Sequence, residues 1–367
     1  MSDTWRADSV VGRKVRAGRL SVCTRYLVHS TDEPCELVRI LLIFLSCSSI
    51  PFTSASAWNA TGHKIVASIA FRQLAPTEQE RIVDLLKRHP RFTEDFAEEM
   101  SEEIRSGGEG AQQEWIFQQA AVWPDLIRPP GAEAKIAFHR SQWHYVNVPL
   151  FLDEAARREL SGKLALNTAL DPPTDATVNT EPLNVVQAIR FARRQGASSM
   201  TNPQSRGLLL AWLYHDVGDI HQPLHGAALV SRRLFPEGDR GGNSIKTTQS
   251  FNLHSLWDQF PGPAADYKSC RDRAIAVVGT PEFSAVGKSA EAVLDEKEWL
   301  LESHALAREV TYSPDILAAV AKAEAGGGLA PLEMKEEYLK IGGRIAERRL
   351  IEAGYRLGAV LKTIAAE

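Results

Sequence analysis

From residue 58 onward, apolar residues recur at spacings of three and four, the period of a helix with one buried face. Seven stretches carry the pattern: 63–74 (HKIVASIAFRQL), 76–89 (PTEQERIVDLLKRH), 92–105 (FTEDFAEEMSEEIR), 183–195 (LNVVQAIRFARRQ), 206–219 (RGLLLAWLYHDVGD), 298–312 (EWLLESHALAREVTY) and 333–364. The fifth is apolar on every side and reads as a buried helix. Prolines, glycines and short polar residues mark 167–182 and 235–243 as loops. After Gly241-Gly242, the segment SIKTTQ predicts a short β-ribbon or loop excursion within 241–252. There is no internal repeat, compositional break or long linker. The pattern predicts an all-α, multi-helix single domain over 58–367.

The chain before residue 58 reads differently. Residues 37–50 (LVRILLIFLSCSSI) are apolar but too short to span a membrane comfortably, and Ala55-x-Ala57 follows. This is the form of a secretory signal cleaved after Ala57. Residues 1–57, a polar lead plus the signal, are therefore expected to be removed, leaving a periplasmic or secreted chain that starts at Trp58. That chain carries 35 basic and 41 acidic residues, a net charge of −6. Such a balance excludes tight, non-specific coating of nucleic acid; any chemistry on phosphates needs locally concentrated positive charge, which metal ions can supply. Cys23, Cys35 and Cys47 precede the cleavage point, so only Cys270 remains and no internal disulfide can form.

Candidate chemistry concentrates in HDVGDIHQPLH, 215–225. On a helix His215 and Asp219 share a face, whereas Asp216 lies about 100° round from His215 and His221 about 240° round. Pro223 ends the helix near His221, so His225 starts a new segment and can turn back. NLHSLWDQF, 252–260, repeats the device with His254 and Asp258. His63, Asp125 and His144 are further candidates. Bare carboxylates gathered in a core would repel each other and lose hydration; divalent cations remove both problems. Histidine and carboxylate donors without a thiol point to zinc or a neighbouring divalent metal.

WNATGH (58–63), WPDLIR (123–128), WHYVN (143–147), HDVGDIHQPLH, GGN (241–243) and NLHSLWD (252–258), in this order, resemble the zinc-dependent single-strand-specific nucleases, the S-one/P-one nuclease family. That family shares its all-α fold with the zinc phospholipases C, and the likeness extends to about residue 355. The resemblance implies three zinc ions per chain. One would take Trp58, through its freed α-amine and carbonyl, with His63 and Asp219. A second would take Asp125, His144, His215 and the bridging Asp219; the third would take His225, His254 and Asp258. Asp125, Asp219 and Arg128 are the residues expected to carry catalysis, Arg128 by binding phosphate. Tyr145 is the expected base-stacking residue. Asn147 stands where fungal members carry a base-contacting aspartate. The implied activity is hydrolysis of single-stranded DNA and RNA to 5′-phosphate products, with 3′-nucleotidase activity left open, by a monomer without stable membrane association. His89, His139, His221 and His304 read as structural or solvated. Two other readings stand beside this one. A zinc phospholipase C resembles His-x-x-x-Glu where this chain has His254 and Asp258. A zinc-binding protein without turnover would more often use a His-rich loop than spaced ligands.

Overall fold

The computed structural model describes residues 58–128 and 137–367. The leader and the cleavage point expected within 1–57 lie outside them. Along the described residues the helices are α1 (Ala60–Gln73), α2 (Pro76–Leu86), α3 (Glu102–Ser106), α4 (Glu109–Leu126), α5 (Glu154–Leu160), α6 (Val185–Ala197), α7 (Pro203–Ile220), α8 (Leu253–Asp258), α9 (Tyr267–Gly279), α10 (Pro281–Glu291), α11 (Glu296–Leu306), α12 (Pro314–Glu324) and α13 (Glu336–Ala366). Two short strands, β1 (Pro149–Phe151) and β2 (Ala228–Val230), pair in parallel.

Helix α7 is the axis of the core. The Asn202 side chain accepts from the N–H groups of Gln204 and Ser205, and Pro203 occupies the first turn, where its missing N–H costs nothing. Every residue from Gly207 to Ile220 is buried, because α4 and α6 pack directly against this helix. It stops at His221, ahead of Pro223, as its sequence predicts. The long α13 lies along α1. Glycines permit that approach: a Cβ at Gly354 would stand 2.6 Å from the Ile69 side chain, and one at Gly358 would stand 2.7 Å from that of Gln73.

Two expectations need amendment, the helix over 92–105 and the set of helices. The helix read over 92–105 is a π-helical turn, Thr93–Ala97, followed by α3. Ser101 caps the new helix by accepting from Ile104 N–H, and Asp95 turns inward to accept from Trp123 Nε1 at 2.9 Å. Of the two forms expected within 241–252, ribbon or loop, the chain takes the loop; apart from one bridge, Thr247 to Leu332, it is built of turns and bends. Positive φ at Gly241 (60°) and Gly242 (80°) curls the chain. Leu253 N–H then closes the loop on Ile245 O at 2.8 Å. The strands form elsewhere, directly after His144 and His225, and tie those two segments together. Helices α4, α5, α9, α10 and α12 were not among the periodic stretches. No helix among the described residues is long and apolar enough to cross a membrane.

Candidate metal centre

Helix α7 presents His215 and Asp219 one turn apart, toward His63 on α1 and Asp125 near the end of α4. His215 Nδ1 lies 2.8 Å from Ala121 O, which fixes the ring and leaves Nε2 facing the cluster. His215 Nε2 is 3.2 Å from Asp219 Oδ2, 3.6 Å from Asp125 Oδ1 and 2.9 Å from His144 Nδ1. His63 stacks on the His215 ring at 4.1 Å and 14°, with Nε2 3.3 Å from Asp219 Oδ1. The absence of a side chain at Gly218 makes room for it, since a Cβ there would meet His63 Nδ1 at 2.7 Å. Asp219 thus divides its carboxylate, Oδ1 toward His63 and Oδ2 toward His144 (2.9 Å) and His215.

A third cluster forms beside these. Val146 N–H donates to His225 O at 2.8 Å and Ala228 N–H to Val148 O at 3.0 Å, so the β1–β2 pairing carries His225 up to the His144 segment. His225 Nδ1 lies 2.5 Å from His144 O, and His254 Nδ1 lies 2.7 Å from Gly241 O. Each imidazole donates its proton to a carbonyl, so each Nε2 bears a lone pair, and the two Nε2 atoms face each other at 3.1 Å. Burial drives His254 to about 3, so it does not charge near neutral pH to relieve that repulsion. Asp258 Oδ1 accepts from Gln222 Nε2 at 2.8 Å, while Oδ2 stands 3.6 Å from His254 Nε2 without a hydrogen bond. Two facing acceptors and a bare carboxylate oxygen are the arrangement a cation resolves.

Electrostatics agree with a cation-ready core. Burial, assisted by Arg128, takes His144 to about 3, the neutral form a metal requires. At Asp219 burial favours the acid, but His215 and His225 outweigh it and hold the carboxylate well below its usual range. At His215 burial opposes charge, yet Asp219 and Asp125 raise the imidazole. Burial pushes Asp258 well above the carboxylate range. Three groups each bring ligand atoms within 4.8 Å of one another: His63, His215 and Asp219; Asp125, His144 and His215; His225, His254 and Asp258. Nine sequence candidates were named as ligands, and eight of them form these groups. Trp58 is wholly buried and adjoins the third, because Asn59 N–H donates to Asp258 O at 3.0 Å.

The clusters open into a cleft of about 390 Å³ lined by Arg128, His144, Tyr145, Asn147, His225 and His254. Arg128 Nη2 sits 2.9 Å from Asp125 Oδ1. Tyr145 is 38 % exposed in an otherwise closed neighbourhood. Four residues without a role in the ligand reading, His139, Ser141, Arg240 and Asn243, also line the cleft; the only sequence signal for the last two is the GDRGGN run. His221 lies off the site, its Nδ1 2.7 Å from Val217 O and its Nε2 2.8 Å from Arg356 Nη1. His89 is buried against Trp123, and His304 Nδ1 lies 3.3 Å from Gly226 O; all three serve structure.

The sequence model described as S1/P1 Nuclease matches residues 58–366. The chain belongs to the S1/P1 nuclease family. Among its relatives, Endonuclease 2 of Arabidopsis thaliana is 22 % identical over 311 residues, covering 84 % of this chain and 90 % of that protein. Endonuclease 1 of Arabidopsis thaliana is 22 % identical over 336 residues, 90 % and 93 % of the two chains. Nuclease S1 of Aspergillus oryzae is 29 % identical over 171 residues, 43 % of this chain and 54 % of that one. This S1/P1 nuclease is a hydrolase acting on phosphodiester bonds with 5′-phosphate products.

Proposed function

We propose that this S1/P1 nuclease is exported, is cleaved before Trp58, and hydrolyses single-stranded DNA and RNA with three zinc ions. Trp58, His63 and Asp219 would hold one ion. Asp125, His144 and His215 would hold a second, with Asp219 shared, and His225, His254 and Asp258 a third. The observation that carries this reading is the pair of buried Nε2 lone pairs facing at 3.1 Å beside an unbonded Asp258 oxygen, next to a carboxylate divided between two further histidine clusters. The donor set, imidazole nitrogen and carboxylate oxygen, suits zinc, and the buried Cys270 thiol, pushed by burial to about 11, is not part of it. The family match beginning at residue 58 supports a mature chain that starts there.

Bound zinc would supply Lewis acidity, bringing the acidity of water to a pKa of about 7 and neutralising phosphate charge. The chain's own residues do the rest. Asp125 holds the Arg128 guanidinium at the cleft, where it can bind a non-bridging phosphate oxygen and meet charge that grows in the transition state. Tyr145 offers a ring face to an unpaired base, a contact a duplex cannot make without unstacking. Asn147, half-buried beside it, can donate to or accept from a base edge. The test is hydrolysis of single-stranded DNA, single-stranded RNA and duplex DNA, with product ends identified. Release of 5′-phosphate ends from the single strands, much slower on the duplex, is expected; equal rates on duplex and single strand would sink the stacking assignment.

A further inference from the structure

Arg240 adopts a backbone conformation that side chains other than glycine rarely take, with φ at 60°, and it is the one such non-glycine residue among the described residues. The loop around it is held from several sides. The buried Asp239 carboxylate accepts from Leu229 N–H at 2.9 Å and from the Tyr312 hydroxyl, and it also receives the N–H groups of Gly241 and Gly242. Asn243 Nδ2 donates to Arg240 O at 2.8 Å. The next carbonyl, Gly241 O, is the partner of His254 Nδ1. Backbone strain that so many contacts maintain tends to occur where a side chain must point a particular way. Here it places an exposed arginine on the cleft wall, fixed relative to the third metal cluster. Its guanidinium has no acidic partner among the described residues, whereas Arg128, which lines the same cleft, is paired with Asp125. In a chain of net charge −4, an exposed arginine without an acidic partner on the wall of this cleft is placed to bind an anion.

We propose that Arg240 binds a second phosphate of the bound strand, adjacent to the one being cleaved, and so gives the enzyme its preference for chains over substrates with a single phosphate. This rests on the nuclease reading above and extends it. Arg128 and the metal clusters address the scissile phosphate; Arg240, on the loop tied to His254, addresses its neighbour.

The test compares an oligothymidylate with a dinucleoside monophosphate, which contains one phosphodiester and nothing for Arg240 to hold. Arg240→Asn keeps a residue that tolerates positive φ and removes the charge. The expected result is a roughly tenfold rise in KM for the oligothymidylate and a log–log salt dependence of kcat/KM shallower by about 0.7. Turnover of the dinucleoside monophosphate should stay within about twofold, and Arg240→Lys should restore most of the loss. Equal losses on both substrates, or no change on either, would overturn the proposal. Wild-type protein that cleaves neither substrate would overturn the nuclease reading and this proposal with it; wild type that cleaves both, with an unresponsive Arg240→Asn, would overturn this proposal alone.

Discussion

Replacing Gly218 by alanine tests the construction of the metal centre without touching a ligand. Gly218 lies inside α7, where alanine is normally preferred by about 0.5–1 kcal/mol. The added methyl would meet His63 Nδ1 at 2.7 Å and Cε1 at 2.8 Å. Reaching ordinary contact requires a shift of about 0.7–1 Å in the imidazole, several times the roughly 0.2 Å tolerance of a metal–ligand distance. The ring cannot slide freely, because it is stacked on His215 at 4.1 Å. Overpacking of this kind costs about 1–3 kcal/mol, so the propensity gain is cancelled or exceeded. Metal content by mass spectrometry and thermal unfolding are the assays, with Gly343→Ala as control. Gly343 is also inside a helix but has nothing within 4 Å of an added Cβ, so alanine there should stabilise by about 0.5–1 kcal/mol and leave metal content alone. Gly218→Ala should lose about one ion, lose most activity and keep the His225–His254–Asp258 ion. A Gly218→Ala protein with full metal and full activity would refute the placement of His63 as a ligand.

Asp219→Asn should reduce activity by more than about a hundredfold and weaken metal at both clusters that share the carboxylate, while the third cluster keeps its ion; an unchanged stoichiometry would remove Asp219 from its shared position. Metal loading near neutral pH should release a net number of protons, because burial opposes charge on His215 but Asp219 and Asp125 raise it, burial raises Asp258, and both must be deprotonated to bind a cation. Calorimetry in buffers of different ionisation enthalpy reads that number, and zero would contradict the assignment. Asp239 is raised by burial from 3.8 to about 6. The folded state therefore binds this proton more tightly than the unfolded chain. Its contribution is complete below about pH 4 and is lost as pH rises through about 6, a change of about 3 kcal/mol. With metal chelated from both proteins, the stability of wild type relative to Asp239→Asn should fall between pH 4 and 7; a constant difference would show that burial does not raise this carboxyl.

Part of the candidate metal cluster was legible in helical spacing, and the rest of the proposed ligand set only in the family resemblance. His215 with Asp219, and His254 with Asp258, could be paired from the sequence alone, and Pro223 announced the turn that frees His225. Asp216 and His221 were set aside by the same angular reasoning, and both lie off the metal groups. Arg240 could not be found that way. Its position depends on a carboxylate one residue earlier that is buried by contacts with Leu229 and with Tyr312, 73 residues away from that carboxylate, and no local period encodes such contacts. The parallel pairing of β1 with β2 escaped for the same reason, since each strand is three residues long and draws its partner from across the chain. Helices α9 and α10 carry few buried positions, three and two respectively, so their apolar stripe is too thin to show as a period.

The most direct measurement is zinc per chain of the protein that begins at Trp58, with release of 5′-mononucleotides from single-stranded DNA followed on the same sample before and after chelation. The clusters of His63, His144, His215, His225 and His254 with Asp125, Asp219 and Asp258 predict about three zinc ions, activity abolished by the chelator and restored by added zinc. One ion or none, or mononucleotide release that survives complete removal of metal, would contradict the trinuclear site.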